Sequence, residues 1–233
     1  MNNKLKLILS ISLLCLLIIG FAINGKNLIK NPKLENSDAI KFKEEYESLN
    51  NKDNGYGGKY LRISINDDNV IKYASFEELI DLLDKGTGVI YFGFPECPWC
   101  RNAVPSLLEA ADSTGIEQIY YFNAVDIRDQ KTLDANGEVI TTKEGTEEYK
   151  ELLKKLDKYL LPYDGLNDES IKRLYFPSVY FIKDGVVIGK HIDTVESHTD
   201  ASKELNEKQK LELKGIYENY MMEILDSSCD KEC

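Results

Sequence analysis

The sequence predicts an α/β fold in which helices flank a sheet that is parallel at its start. Val89–Phe94 is a continuous apolar run, which is typical of a central strand buried on both faces. Ser178–Ile182 and Val186–Ile192 flank the turn residues Lys183-Asp184-Gly185, a pattern that predicts an antiparallel hairpin. The full order of predicted elements, β-α-β-α-β-α-β-β-α, therefore indicates a mostly parallel sheet closed by a hairpin.

Local signals give the bounds of the other elements. Ser75, followed by Glu78 at the third position, forms a capping box for a helix over Phe76–Lys85. Arg128–Gly145 is a polar insertion, and the Asn- and Gly-rich Asn50–Lys59 predicts a loop. Apolar spacing predicts the rest: a short helix capped by Ser37 or Asp38 and reaching about Leu49, strands at Tyr60–Ile65, Val70–Ala74 and Gln118–Val125, and helices at Cys97–Ser113, Thr146–Leu160 and Leu205–Leu225.

Length and charge restrict the class of protein. The chain has 233 residues, 42% of them hydrophobic and 30% charged, which suits one domain with additional sequence. Its formal net charge is −11. Such a surface repels phosphate backbones, so nucleic-acid binding is not expected.

The N-terminus has the order of an export signal. Lys4 and Lys6 precede the uncharged run Leu7–Ile23, so residues 1–25 are a signal peptide or an N-terminal membrane anchor that enters the bilayer through residues 5–23. The two lysines place the N-terminus in the cytoplasm and the remainder outside. The chain is therefore expected either on the outer face of the cell membrane or, after cleavage near Ala22, secreted.

Three further segments follow the export signal. We expect a linker with a short helix over residues 26–59, a folded domain over residues 60–226 and a cysteine-containing tail over residues 227–233. The five cysteines include two close pairs, Cys97/Cys100 and Cys229/Cys233. A domain of this length folds without disulfides, so close pairs point to redox or metal chemistry.

Cys97-Pro98-Trp99-Cys100 begins a predicted helix. Unpaired N–H groups and the helix dipole favour negative charge there, which lowers the pKa of the first cysteine. Cys97 is thus the expected nucleophile, and Cys100, one turn later, would resolve a mixed disulfide. Pro98 suits the first turn because it has no N–H, and Trp99 offers a flat apolar surface to a substrate chain.

Two other interpretations of Cys97 and Cys100 remain. The pair is half of a zinc site if His191, His198, Cys229 or Cys233 supply further ligands, or it is a structural disulfide that closes a very short loop. The residues favour neither, and we expect no metal and no cofactor.

The stretch Tyr91-Phe-Gly-Phe-Pro-Glu-Cys97-Pro-Trp-Cys100 and the later Phe176-Pro177 resemble the thioredoxin superfamily. They are most similar to thioredoxin-like bacteriocin transport accessory proteins and their exported relatives. Over about residues 60–225, the resemblance implies a thioredoxin-like fold with an N-terminal extension and an insertion before the cis-proline strand. It also implies that Pro177 is cis and stacked on the cysteine pair, that Phe176 offers backbone groups to an extended substrate, and that Pro105 kinks the helix. The alternative for Pro177 is a trans proline in an edge strand.

The sequence also departs from that family. Where thioredoxins have a buried acid six residues before the first cysteine, this chain has Tyr91. Proton transfer would then use water, Glu96 or the Tyr91 hydroxyl. The segment from Arg128 to Tyr175 is longer than in a minimal thioredoxin and is placed to shape a substrate groove.

The leading hypothesis is an extracytoplasmic thiol–disulfide oxidoreductase. It would act through Cys97 on thiols and disulfides of exported proteins and be reset by an unidentified membrane redox partner, in an undetermined direction. Cys229 and Cys233 would be a second redox pair or an ordinary feature of a tail. The alternatives are a non-catalytic accessory module that binds an exported partner through Trp99 and Phe176, and a zinc-binding protein.

Overall fold

A five-stranded mixed sheet with helices on both faces forms the centre of the structure, a computed structural model that describes residues 37–226. Two short hairpin-like strand pairs lie outside this sheet. In chain order, the elements are α1 Ser37–Glu47, β1 Ile71–Tyr73, α2 Phe76–Lys85, β2 Gly88–Phe92, α3 Pro98–Thr114, β3 Ile119–Phe122, β4 Gln130–Leu133, β5 Val139–Lys143, α4 Glu147–Leu156 with a 3₁₀ turn at Asp157–Tyr159, β6 Leu161–Pro162, β7 Lys172–Arg173, β8 Ser178–Lys183, β9 Val186–Ile192 and α5 Glu207–Leu225.

The strand order in the main sheet is β1-β3-β2-β8-β9. Strands β1 and β2 run parallel to β3, whereas β8 is antiparallel to β2 and β9 is antiparallel to β8. This topology confirms the predicted α/β sheet that is parallel at its start and closed by a hairpin.

Local chemistry explains where the key elements begin and end. Both hydrogen bonds of the predicted capping box between Ser75 and Glu78 are present at the start of α2. The β8–β9 turn places Asp184 at φ 51° and Gly185 at φ 75°. A Cβ at Gly185 would also clash with the backbone of Asp84, so only glycine fits that position.

The sheet separates two cores. The first lies beneath α1, α3 and α5 and contains Phe42, Tyr46 and the cysteine pair. The second lies beneath α2 and α4 and is rich in leucine. Strand β2 contributes to both because its side chains alternate: Val89 and Tyr91 face the first core, and Ile90 and Phe92 face the second.

Helix α1, the short helix predicted within residues 26–59, contributes to the first core. Phe42 and Tyr46 are fully buried, and Phe42 packs edge-on against Tyr91 and Tyr121. The helix before residue 60 therefore builds part of the site's support.

The strand predicted at Tyr60–Ile65 is wrong. Ile63 and Ile65 are buried as in a strand, but their backbone groups bond to side chains instead of a neighbouring strand. Asn50 exchanges two hydrogen bonds with the backbone of Ile63, and the N–H of Ile65 donates to Glu47. Alternation in the sequence reports burial, and it does not report which group accepts the backbone hydrogen bonds.

The polar insertion contains structure that the sequence did not predict. Strands β4 and β5 pair within it, and β6 pairs with β7 further along. Val139 and Ile140 in β5 are both exposed, so the alternation that marks a half-buried strand is missing. The helix predicted over Thr146–Leu160 is present as α4, with Thr146 as its N-cap, but it ends at Leu156, after which Asp157–Tyr159 tightens to a 3₁₀ turn.

Several predictions concern residues outside 37–226, namely the export segment and the Cys229/Cys233 pair. Within the described range, no helix combines the length and apolar character needed to cross a membrane.

Candidate functional site

The cysteine pair lies where strand β2 leads into helix α3. Cys97 is the N-cap of α3, and its Sγ accepts a hydrogen bond from the N–H of Cys100 at 3.3 Å. Pro98 occupies the first turn, where no N–H is needed. Both thiols are free; Cys97 is 5% exposed and Cys100 is fully buried. The predicted order of an outer and an inner cysteine is therefore present.

The two thiols have opposite acidities. A hydrogen bond from the Cys100 thiol lowers the pKa of Cys97, and the N–H groups of Cys100 and Trp99 add to this effect, against the opposing influence of burial. Burial raises the pKa of Cys100 well above its ordinary value, and the bond to Cys97 and the negative charge there raise it further. The site can thus hold a thiolate on Cys97 while Cys100 keeps its proton.

The segment before β8 lies directly against Cys97. The Phe176–Pro177 peptide bond is cis, as predicted. The Cys97 thiol donates to the Phe176 carbonyl with 3.7 Å between Sγ and O. The Phe176 ring meets Phe94 edge-on at 5.6 Å between centroids. The structure therefore brings Phe176 and Pro177 to the nucleophile.

Trp99 is half-buried on the other flank and meets His198 edge-on at 5.3 Å. His198 is bonded through its two ring nitrogens to Thr194 and to the carbonyl of Lys203. Nε2 of His191 is hydrogen-bonded to the carbonyl oxygen of Thr194, and burial lowers the pKa of the His191 imidazole. In residues 37–226, no three His, Cys, Asp or Glu side chains are grouped to hold a metal ion.

Tyrosine hydroxyls lie beneath Cys100. The Tyr91 hydroxyl is 2.8 Å from that of Tyr46, and both rings are fully buried. The Tyr91 hydroxyl also lowers the pKa of the Cys100 thiol, which partly opposes the larger, raising effect of burial. Gly93 permits this arrangement, because a Cβ there would clash with the Tyr91 hydroxyl. The tyrosine that replaces an acid in the sequence pattern is therefore next to the inner thiol.

Two other predicted site residues have less direct positions. Glu96 is exposed in the loop before Cys97. Pro105 lies inside α3, which continues through it to Thr114; the kink expected there stays a prediction.

Arg101 is a site residue that sequence reasoning missed. Its side chain is buried and donates to the carbonyls of Leu61, Tyr46 and Pro95 at 2.8, 2.9 and 3.1 Å. A further bond of 2.6 Å joins it to Oδ1 of Asn50. Its position directly after Cys100 was the only signal in the sequence. Arg101 ties the loop after α1 to the start of α3.

That loop forms one wall of a groove beside Cys97. The groove has a volume of about 750 Å³. Tyr56 stands on its rim, 95% exposed. The lining includes Tyr60, Phe94 and Glu96 together with Cys97. An extended chain in the groove would have an apolar aromatic surface on two sides of the thiol.

No protein-family model matches this chain, and no curated protein matches it either.

Proposed function

We propose that this chain is an extracytoplasmic thiol–disulfide oxidoreductase with a thioredoxin-like fold. The observation that carries the proposal is the position of Cys97 at the N-cap of α3, where its Sγ accepts the N–H of Cys100, with the Cys100 thiol fully buried one turn later. This arrangement lowers the pKa of Cys97 and raises that of Cys100. A disulfide-exchange site needs one ready nucleophile and one reserve thiol within a helical turn.

Three features support the thioredoxin-like fold as a proposal. The cysteine pair follows a central strand that is parallel to one neighbour and antiparallel to the other. The cis-proline segment precedes the hairpin strand β8 and touches Cys97. Helices cover both faces of the sheet. The extension before residue 60 and the insertion before Pro177 are additions to that plan.

The reaction we propose has two steps. The Cys97 thiolate attacks one sulfur of a substrate disulfide, so a mixed disulfide forms and the second substrate sulfur leaves as a thiolate that takes a proton. Cys100 then loses its proton and attacks Sγ of Cys97, which releases the other substrate thiolate. The substrate gains two electrons as a dithiol, and the protein retains a Cys97–Cys100 disulfide. The same steps in reverse oxidise a substrate dithiol.

Side chains around the thiols have defined parts in this scheme. Trp99, Phe176 and Pro177 hold the substrate chain against Cys97, and the Tyr91 hydroxyl stabilises the Cys100 thiolate as it forms. The proposed location outside the membrane rests on Lys4, Lys6 and the apolar run that follows them. A membrane redox partner would reset the pair after each turnover.

The experiment is a redox titration of the full chain with Cys15, Cys229 and Cys233 replaced by serine. Equilibration in glutathione or dithiothreitol buffers should give one two-electron transition of the Cys97–Cys100 pair. A potential near about −270 mV would indicate a reductase and one near about −120 mV an oxidase. A Cys97→Ser variant is the control and should show no transition.

Failure to form a disulfide in any buffer would contradict the proposal. Cys97→Ser that leaves partner binding intact would favour an accessory module instead. Stoichiometric zinc that is released on acidification would favour a metal site.

A further inference from the structure

Within the described residues, two arginines of the Arg128–Tyr175 segment, Arg128 and Arg173, have no anionic partner. Among residues 37–226, neither guanidinium has a hydrogen bond or an ion pair with N···O within 4.0 Å. The Nε atoms of both side chains are buried and unpaired. Buried N–H groups of charged side chains are nearly always paired, and this chain carries a net charge of −11. Acids are therefore abundant, yet none of those between residues 37 and 226 neutralises this pair.

Aromatic rings hold the two guanidiniums instead. The guanidinium carbon of Arg128 is 5.0 Å from the centre of the Phe176 ring, and that of Arg173 is 4.3 Å from the centre of the Tyr163 ring. Stacking of this kind fixes the plane of a guanidinium and leaves its N–H edges available. The two side chains are thus positioned cations with unused donors.

The pair adjoins the redox site. Arg128 lies over Phe176, whose carbonyl accepts the hydrogen bond from the Cys97 thiol. Burial lowers the pKa of Arg128, the positive charge of Arg173 lowers it further, and a negative charge on Cys97 opposes both effects. The charge of Arg128 therefore interacts with the charges of both Arg173 and Cys97.

The nearest acid in the sequence does not explain the pair. Asp129 directly follows Arg128, but its Oδ2 is 3.2 Å from Nζ of Lys131. Its Oδ1 is buried and has no hydrogen-bond partner. A structural role for the two arginines would pair this oxygen with one of them.

We propose that Arg128 and Arg173 bind a carboxylate of the substrate, close to the sulfur that Cys97 attacks. The inference rests on the proposed function, because it concerns which disulfides that site accepts. Guanidinium groups bind carboxylates through paired, charge-assisted hydrogen bonds. The preferred substrate is a peptide segment with an acid next to its cysteine. Since the overall charge of this chain repels acidic proteins, a neutral or basic protein with one such local carboxylate fits best.

The test compares two disulfide reagents on the full chain with Cys15, Cys229 and Cys233 replaced by serine. One reagent, 5,5′-dithiobis(2-nitrobenzoate), carries one carboxylate on each ring, meta to the sulfur, and the other, 4,4′-dithiodipyridine, is neutral. Arg128→Gln and Arg173→Gln should each slow the anionic reagent by about five- to tenfold relative to the neutral one. The ratio of the two rates does not depend on the thiolate fraction of Cys97, because both rates are proportional to that fraction.

Arg62→Gln is the matched control, because Arg62 is exposed and its loss changes the net charge equally. It should leave the ratio of the two rates unchanged. Arg128→Lys keeps the charge without the paired donors and should lose only part of the preference. If Arg128→Gln does not fold, Arg173→Gln and Arg128→Lys carry the same test.

Model peptides identify the source of the carboxylate. Three disulfide-bonded peptides would be compared: Cys-Glu with an amidated end, Cys-Gln with an amidated end, and Cys-Gln with a free terminal carboxylate. The protein with both arginines should react about tenfold faster with an acidic peptide than with the neutral one. Arg128→Gln should remove that difference in rate. Preference for the first peptide assigns a side-chain carboxylate, and preference for the third assigns a chain terminus.

Two failures are distinguishable. If both reagents react and the ratio of rates is the same with and without the arginines, the inference is overturned and the proposed function stands. If Cys97 reacts with neither reagent, the proposed function and the inference fall together.

Discussion

The two faces of strand β2 are equally buried but differ in chemistry. Tyr91 on one face bonds to another tyrosine hydroxyl and lowers the pKa of the inner cysteine. Ile90 and Phe92 on the other face lie among leucines from α2 and α4 and several aromatic rings. The buried Arg101 also belongs to the first side, where it bonds to four oxygen atoms. Burial alone therefore does not mark the site. What marks it is the hydrogen-bonded polar groups of Tyr46, Tyr91 and Arg101 around the two thiols.

The largest expected effect is the loss of disulfide exchange in Cys97→Ser, on the side of the sheet that holds the first core. A serine hydroxyl is not ionised at neutral pH and cannot replace the thiolate. Turnover of a disulfide peptide with dithiothreitol should fall to the uncatalysed rate. Cys100→Ser is the matched variant and should still form a mixed disulfide on Cys97 but fail to release it. Turnover that persists without Cys97 would mean that the reactive group does not lie in the first core.

Leu152→Ala tests the second core, on the other side of the sheet. Leu152 is fully buried in the second core, so its truncation should lower the free energy of unfolding by about 2–5 kcal/mol. Denaturant unfolding monitored by circular dichroism measures this loss. The pH dependence of Cys97 alkylation should not change. A shifted alkylation profile would mean that the two faces are not chemically separate.

Tyr91→Phe and Tyr180→Phe compare single hydroxyls on opposite faces. Loss of the Tyr91 hydroxyl leaves that of Tyr46 without its partner, which should cost about 1–3 kcal/mol of unfolding free energy. The hydroxyl of Tyr180 is buried and has no hydrogen-bond partner among the described residues, so Tyr180→Phe should be neutral or slightly stabilising.

The same pair of variants has a kinetic readout. The Tyr91 hydroxyl lowers the pKa of Cys100 against the larger effect of burial, so Tyr91→Phe should raise that pKa further. Resolution of a mixed disulfide, followed by stopped-flow, should therefore slow in Tyr91→Phe and not in Tyr180→Phe. Equal rates in both variants would remove Tyr91 from the proposed mechanism.

The smallest expected effect is a shift in the pH profile of Cys97. Alkylation requires the thiolate, and the bond from Cys100 lowers the pKa of Cys97. The rate with iodoacetamide should therefore reach half its plateau below the ordinary cysteine value of about 8.5 and fall as the pH drops through the lowered pKa. Cys100→Ser provides the control for the inner thiol. A midpoint at or above about 8.5 would contradict the assigned polarity of the pair.

Sequence reasoning found the parts of the molecule that local chemistry determines. The capping box at Ser75, the turn at Asp184-Gly185 and the helix start at Cys97 each depend on a few neighbouring residues, and each is present. The cis bond before Pro177 was expected from the resemblance and is also present.

The parts that sequence reasoning missed depend on distant partners. Arg101 is buried because carbonyls from three separate segments converge on it, and no local pattern announces that convergence. Tyr60–Ile65 alternates like a strand, yet side chains of Asn50 and Glu47 take its backbone bonds. The unpaired Arg128 and Arg173 likewise become visible only when the insertion is folded against Phe176.

The most direct test of the central claim is to map which cysteine first captures a substrate. The full chain with Cys100→Ser as its only change would be mixed with a disulfide-bonded model peptide, quenched with acid and analysed by peptide mass spectrometry. We predict a mixed disulfide on Cys97, because this thiol lies at the N-cap of α3 and has a lowered pKa. A peptide bound to Cys229 or Cys233 while Cys97 stays unmodified would contradict it.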